Sequence, residues 1–498
     1  MMRKLSFLVL TGVMFVGMTS CQNLNSPNFN FEDLQNLVDN PTPTGLYTAA
    51  QGMLITRRDM DANGPNDFYS NAGIVGRESY DLDINDPRFE SELLSSQLSP
   101  DSPAFGGNFW SEPYENVRVG SIILAGIPNS TPPLSDNDTN WLEGFVKTMM
   151  AYDLMEVALL RDTQCGCPVT ASESLTEPAP AVSLDQVWAR VIQLLDEAAS
   201  DLQQASGDSP IPLSTGFDGI AGVVQVGFFR TAAGFLQFNR ALRARAAMYN
   251  QDWNGMLQAL SASFISDLPA ALNLGVYHVF TSQSGDVLNG LAQFGTDPNL
   301  RGHPSYKADV ELKADGTPDD RFTRKARPIS SRSYQGLCQG DPAPQPWAPD
   351  PRYTEDPGGG SAQRECDVGF NLYPTTTSPV SIIRNEELLL MRAEANIQLG
   401  NLGAAQADIN LVRDVSGGLE PVTLTSANAI DQLLYERQFS LWWENAHRWK
   451  DMRRYNRLNE LPVDKAGHGV ASFYPHQQEL LVPDDRDRAR RRRIEVEA

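Results

Sequence analysis

Two stretches of this chain, "ALRARAAMYNQDWNGMLQAL" (241–260) and "LLLMRAEANIQLGNLGAAQADI" (388–409), follow one grammar. A helix rich in Ala and Leu runs into a short polar turn, Asn250-Gln251-Asp252 in the first and Gly400-Asn401 in the second. A second helix then returns with Ala at close-packing positions. Apolar residues recur at three- and four-residue steps in both arms, the period of a helix with one buried face. Hairpins of this kind cannot bury that face alone and must stack on neighbours. The chain is therefore expected to be mostly α.

Other segments carry the same period. They are 42–60, 114–127, 140–162 and 183–202, the last beginning at a Ser183 N-cap and aligning Val187, Val191, Leu194, Leu195 and Ala198. The two hairpins resemble tetratricopeptide-type repeats, but they lie too far apart for a regular tandem array. Gly417-Gly418 closes the second pair. Between the helical blocks, 61–110 and 266–380 are rich in Pro, Gly, Asp and Ser, with short alternating pieces such as "VYHVF". The expected architecture is a tetratricopeptide-like helix-hairpin scaffold, at about 31–60, 111–265 and 381–456, bearing loop-rich segments at 61–110 and 266–380. Irregular segments on a rigid scaffold are where ligand surfaces usually lie.

The ends read differently. Residues 1–20 have a basic start (Arg3, Lys4) and an uncharged apolar stretch too short to span a bilayer, as in a secretory signal peptide. Met18-Thr19-Ser20-Cys21 resembles a bacterial lipobox, which implies cleavage before Cys21 and lipidation of its thiol. No other segment is long and apolar enough to cross a membrane as a helix, so the expected attachment is a lipid anchor. The formal charge of −22 argues against nucleic acid as a partner. The one basic run, within 484–498, reads as a solvated tail. Four further cysteines, Cys165, Cys167, Cys338 and Cys366, permit up to two disulfides with three pairings in an oxidising compartment. Cys338 and Cys366 flank a loop rich in Pro and Gly. Cys165-Gly-Cys167 is a tight pair that a bridge would strain, and the spacing does not suit a four-thiolate zinc site.

The stretch "RQFSLWWENAHRWKDMRR" (437–454) invites a search for chemistry, with three tryptophans and His447. Read as one helix, it places Tyr435, Phe439, Trp442, Ala446 and Trp449 on a single heavy stripe, with Glu436, Ser440, Glu444, His447 and Asp451 opposite. The tryptophans are then packing and His447 is structural. Five histidines are scattered without metal-ligand spacing, and no serine-hydrolase, zinc-peptidase, phosphate-loop or dinucleotide motif occurs. No catalytic residue, metal site or cofactor is assigned.

With these residues in view, the C-terminal part resembles the signature of the SusD/RagB family of outer-membrane nutrient-binding lipoproteins. Arg384, Glu387 to Leu390 and Ala393-Glu394-Ala395 match its first element, and Ile409, Asn410, Val412 and Arg413 the next. Glu436, Arg437 and Leu441 follow, then Arg448, Trp449, Asp451 and Arg454. "LRGHPSYKADVELKADGTPDDRF" (300–322) and "FYPHQQELL" (473–481) resemble its mid-chain and closing pieces, with Tyr474 and His476 departing from the pattern. The resemblance implies a SusD-like domain over 21–483 that is not an enzyme and needs no cofactor. It also implies capture of oligosaccharides, or in some members peptides, for a SusC-like TonB-dependent β-barrel transporter, from a lipid-anchored position facing the cell exterior. Glu387, Glu394, Glu436 and Arg437 would lock the hairpins together. Sugars are held by aromatic faces and by amide, carboxylate and guanidinium groups. On that chemistry the loop-rich segments offer Phe68, Tyr69, Asn71, Tyr80, Trp110, Tyr277, Tyr334, Trp347 and Tyr353 as ligand contacts. The competing reading is a helical-repeat envelope scaffold that binds no nutrient.

Overall fold

A computed structural model describes residues 34–62, 64, 67–94, 108–160, 167–169, 179–332, 337–338 and 366–463. Its frame is a row of helices, each packed on the next. Pro43–Ala62 lies against Asn108–Gly126, which lies against Asp136–Leu160, followed by Leu184–Gln204 and Ala232–Tyr249. Trp253–Ser261 folds back on Ala232–Tyr249 and packs on Asn385–Gln398, which in turn contacts Leu402–Val412 and Ala429–Ser440.

The local signals hold. Ser183 and Gln186 form a reciprocal capping box at the start of Leu184–Gln204. Thr231 caps Ala232–Tyr249 by accepting from the Gly234 amide at 3.1 Å, and Asp252 caps Trp253–Ser261 through the Gly255 amide at 2.9 Å. Both hairpins fall where the sequence places them, and Gly418 ends the second in a left-handed conformation at φ 64°. One glycine explains how closely two helices approach: a Cβ on Gly144 would sit 2.6 Å from Leu202 Cγ.

Among the described residues the sheet content is three antiparallel ribbons. Ser79–Asp81 pairs with Leu300–Gly302, Gly275–His278 with Val380–Arg384, and Ala326–Pro328 with Val368–Phe370. Beneath the first and third lies a second core built on tryptophans. Trp442 stacks on Tyr306 at 4.2 Å between ring centroids, and Trp443 stacks on Phe370 at 4.0 Å. Cys338 and Cys366 form a disulfide with Cα atoms 5.2 Å apart. Cys167 is also disulfide-bonded, while Cys165 and Cys21 lie outside the described residues.

Two expectations need correction. The tryptophan stretch is not one helix. Ala429–Ser440 stops, Trp443, Asn445 and Ala446 take left-handed φ values of 64°, 49° and 52°, and His447–Arg454 starts afresh. Such residues are costly, and distant segments hold them here. The Trp443 amide donates to Glu78 Oε1 at 3.0 Å, its carbonyl accepts from the Tyr373 hydroxyl at 3.0 Å, and the Trp442 indole donates to the Glu78 carbonyl at 3.1 Å. The break also turns both tryptophans and the polar set Glu436, Ser440, Glu444, His447 and Asp451 inward, so none of these faces solvent.

The second correction concerns 61–110. Phe68–Val75 is a buried helix, capped by Asp67 through the Ser70 amide at 2.7 Å. Its side chains belong to the tryptophan core.

The expected locks are present. Glu387 takes both arms of Arg245 at 2.8 and 2.7 Å, Glu394 receives Arg454, and Glu436 receives Arg413 at 2.7 Å and also Arg321. Arg437 donates to Asp451 at 2.6 Å. His447 is buried between Arg437 and Glu387, and burial lowers its pKa.

Candidate functional site

The ribbon of Gly275–His278 and Val380–Arg384 meets the short helix Asp320–Lys325 and the 440–444 turn around a cavity of about 250 Å³. Its floor is ionic. Glu444 accepts from Lys325 at 2.6 Å, Arg384 at 2.8 Å and the Ser381 hydroxyl at 2.7 Å. Arg384 also reaches Glu386 and the Ser440 carbonyl, and Lys325 donates to the Ser440 and Trp442 carbonyls at 2.7 and 3.1 Å. Strand and helix join at Arg384-Asn385, so Arg384 and Glu386, two residues apart across that junction, enter the same network.

Burial alone would push these carboxyls up. Arg384 and Lys325 outweigh it at Glu444, which is held down at about 2, and Arg384 does the same in direction for Glu386. Burial lowers the Lys325 ammonium, which Glu444 partly offsets. Both carboxyls of the floor are thus ionised near neutral pH, and neither is poised to donate a proton. A glycoside-cleaving pair needs one raised carboxylic acid.

The rim has a different character. Tyr277 is half-buried, and its hydroxyl donates to the Asn273 carbonyl at 2.6 Å, which fixes the ring beside the opening. Burial raises its pKa, so the phenol stays neutral. Arg324 is exposed and rests on Ser416, donating to its carbonyl at 2.7 Å and its hydroxyl at 3.0 Å. Asn371 donates to the Arg324 carbonyl at 3.3 Å, and the Asn273 and Asn371 side chains are otherwise exposed. An aromatic ring flanked by two amides and a guanidinium can stack on a sugar ring and bond its hydroxyls.

Of the five residues read as ligand contacts whose side chains are described, Tyr277 alone is found at this opening. Phe68, Tyr69, Asn71 and Tyr80 are at most 2 % exposed and present no face to a ligand. Tyr69 donates to Asn445 at 2.6 Å, and Tyr80 packs on His303 at 4.5 Å. Their aromatic surface is taken up by the core, which explains the error. The Trp110 side chain and Tyr334, Trp347 and Tyr353 lie outside the described residues. The sequence reading missed Asn273, Arg324, Asn371, Arg384 and Glu444. A signal existed for two of them: charged Arg384 ends the apolar strand "VSIIR", and Glu444 follows a tryptophan pair, both marks of a buried ion network.

Residues 369–490 match the sequence model of the SusD family, a stretch that contains Asn371, Arg384, Glu386 and Glu444. The C-terminal quarter of the chain is thus similar to the SusD family. The fold of this chain agrees with solved structures along most of its length. A SusD superfamily protein from Bacteroides vulgatus superposes with a TM-score of 0.60 at 14 % identity, over 86 % of this chain and 91 % of that one. A SusD-like carbohydrate binding protein from Bacteroides fragilis gives 0.58 at 16 %, over 86 % and 88 %. A SusD/RagB family protein from Bacteroides thetaiotaomicron gives 0.54 at 16 %, over 89 % and 95 %. Among curated protein sequences none matches this chain. Among the described residues no helix is long and apolar enough to cross a membrane, and no group of His, Cys, Asp or Glu could hold a metal ion.

Proposed function

We propose that this chain is a lipid-anchored envelope protein that captures oligosaccharides and hands them to a SusC-like TonB-dependent β-barrel transporter. Cys21 is the lipidated residue, and the protein sits on the outer membrane facing the exterior. The observation that carries the ligand assignment is the Tyr277 cavity, where a half-buried ring, two exposed amides and Arg324 share one rim above a buried, ion-paired floor. Such a floor and an aromatic rim suit a polyhydroxylated ligand that binds without large rearrangement. The match of residues 369–490 to the SusD family supports the envelope role, and one solved structure of similar fold is a SusD-like carbohydrate binding protein. Trp110, Tyr334, Trp347 and Tyr353 are proposed as further stacking faces for a longer ligand.

Two experiments test this. The purified protein is applied to an array of oligosaccharides and peptides, with Tyr277→Ala beside it. Binding to oligosaccharides that Tyr277→Ala loses is the expected result, whereas binding to peptides alone rejects the glycan assignment. Gentle solubilisation of the native lipoprotein, followed by mass spectrometry, is expected to recover a large β-barrel transporter in stoichiometric amount. Recovery with periplasmic assembly factors instead would favour the scaffold reading.

A further inference from the structure

A second cavity, of about 110 Å³, opens where three helices end. Tyr249 is the last residue of Ala232–Tyr249, Gln398 the last of Asn385–Gln398, and Tyr455 follows Arg454 at the end of His447–Arg454. Trp253, the first residue of the next helix, completes the wall with Met248 and Gln251. Helix Asn385–Gln398 separates this cavity from the first: Arg384 and Glu386 stand at its start and Gln398 at its end, about 20 Å apart at 1.5 Å per residue. The two are distinct sites.

The chemistry of the lining is specific. Trp253, Tyr249 and Tyr455 are half-buried rings, and Tyr249 is already backed by Trp188, stacked at 6.2 Å between centroids. The Gln251 and Gln398 amides are exposed. Gln398 makes one long bond, donating to the Tyr455 hydroxyl at 3.4 Å. The Tyr249 hydroxyl, closed off at the base, makes no hydrogen bond among the described residues. Gln251 adopts φ 56°, a left-handed conformation that glycine takes at less cost, yet it presents an amide side chain to the cavity. Among the described lining residues the one cation, Arg454, is paired with Glu394 at 2.7 Å and Asp451 at 2.9 Å, and it lies over the Tyr455 ring at 4.7 Å. Asp451 is shared with Arg437 at 2.6 Å, so two guanidiniums balance two carboxylates and the cavity offers no net charge to an ion. It offers aromatic faces and two side-chain amides, each able both to donate and to accept.

We propose that this cavity is a second carbohydrate subsite, taking one neutral pyranose ring against Trp253 with its hydroxyls read by Gln251 and Gln398. The inference rests on the reading of the protein as a glycan binder. A neutral sugar fits better than an ammonium, because Arg454 already occupies the cation position over the rings. It fits better than an acidic sugar, because that guanidinium is committed to two carboxylates.

The test uses the full chain labelled with 5-fluorotryptophan. Eight tryptophans give up to eight fluorine signals, and Trp253→Phe identifies the one that reports this cavity. Methyl glucoside, methyl galactoside and methyl N-acetylglucosaminide are titrated in turn through the millimolar range. The expected result is a saturable shift of the Trp253 signal with at least one of them. The midpoint should weaken about tenfold or more in the Gln251→Ala, Gln398→Ala double variant, and Tyr277→Ala should leave it unchanged. A Trp253 signal that no sugar moves, or that moves equally in the double variant, overturns the proposal. If oligosaccharides still bind through Tyr277 in that case, only this subsite fails; if they bind nowhere, the glycan reading fails with it.

Discussion

Arg245 and Glu387 meet in the interior with two parallel hydrogen bonds, and each is almost wholly shielded from water. Replacing a buried pair with apolar groups can be neutral, but removing one partner strands the other charge. Arg245→Ala is therefore expected to cost about 3–5 kcal/mol in chemical denaturation, while Glu387→Gln, which keeps shape and some hydrogen bonding, should cost less. Other buried carboxyls act in the opposite sense. Burial lifts Asp153 to about 7, with Arg57 pulling it back, and lifts Glu78 to about 8 against the Trp443 amide. A carboxyl raised in the fold binds its proton more tightly folded than unfolded. Its contribution is full below the unfolded value near 4 and is lost as pH climbs through the folded value. Glu444, held at about 2, contributes above about 4 and loses that contribution as pH falls. Melting temperature should therefore peak in mildly acidic buffer. Asp153→Asn should flatten its decline between about pH 5 and 8, which scanning calorimetry across pH would read.

At the scale of elements, the hairpins were legible because a buried helical face repeats every three or four residues and its caps are written locally. The broken tryptophan segment was not. Its apolar stripe continues through 441–446 without a glycine, and the groups that hold Trp443 in a left-handed conformation, Glu78 and Tyr373, come from far along the chain. Helix Phe68–Val75 was misread for a related reason. Its aromatics sit among Gly, Pro and Asn, and only the Asp67 cap signalled a helix start. Of the cavity rim, a sequence reading could reach Tyr277 alone, because Asn273, Arg324 and Asn371 converge only after the ribbons pair. That ribbon is itself held close to its neighbour: a Cβ on Gly216 would fall 1.9 Å from the Tyr277 carbonyl oxygen. Gly216→Ala must displace the strand, so a loss of about 1–3 kcal/mol in urea unfolding is expected, together with weakened ligand binding.

Over the whole molecule, a row of helix hairpins carries a second, tryptophan-centred core, and the Tyr277 cavity is lined by residues from the ribbon and from the 440–444 turn. The disulfide Cys338–Cys366 closes a 28-residue separation beside that second core. Replacing both cysteines by serine should lower stability by about 2–4 kcal/mol, measurable as a drop in melting temperature against the parent protein in the same non-reducing buffer. The central claim is that the Tyr277 rim binds glycan, and isothermal titration tests it most directly. The tightest oligosaccharide from the array is titrated into the parent chain and into Tyr277→Ala, after both show the same thermal melt. Affinity weakened at least about tenfold, or about 1.4 kcal/mol, is the predicted result. Unchanged affinity in Tyr277→Ala would contradict it and move the ligand elsewhere on the molecule.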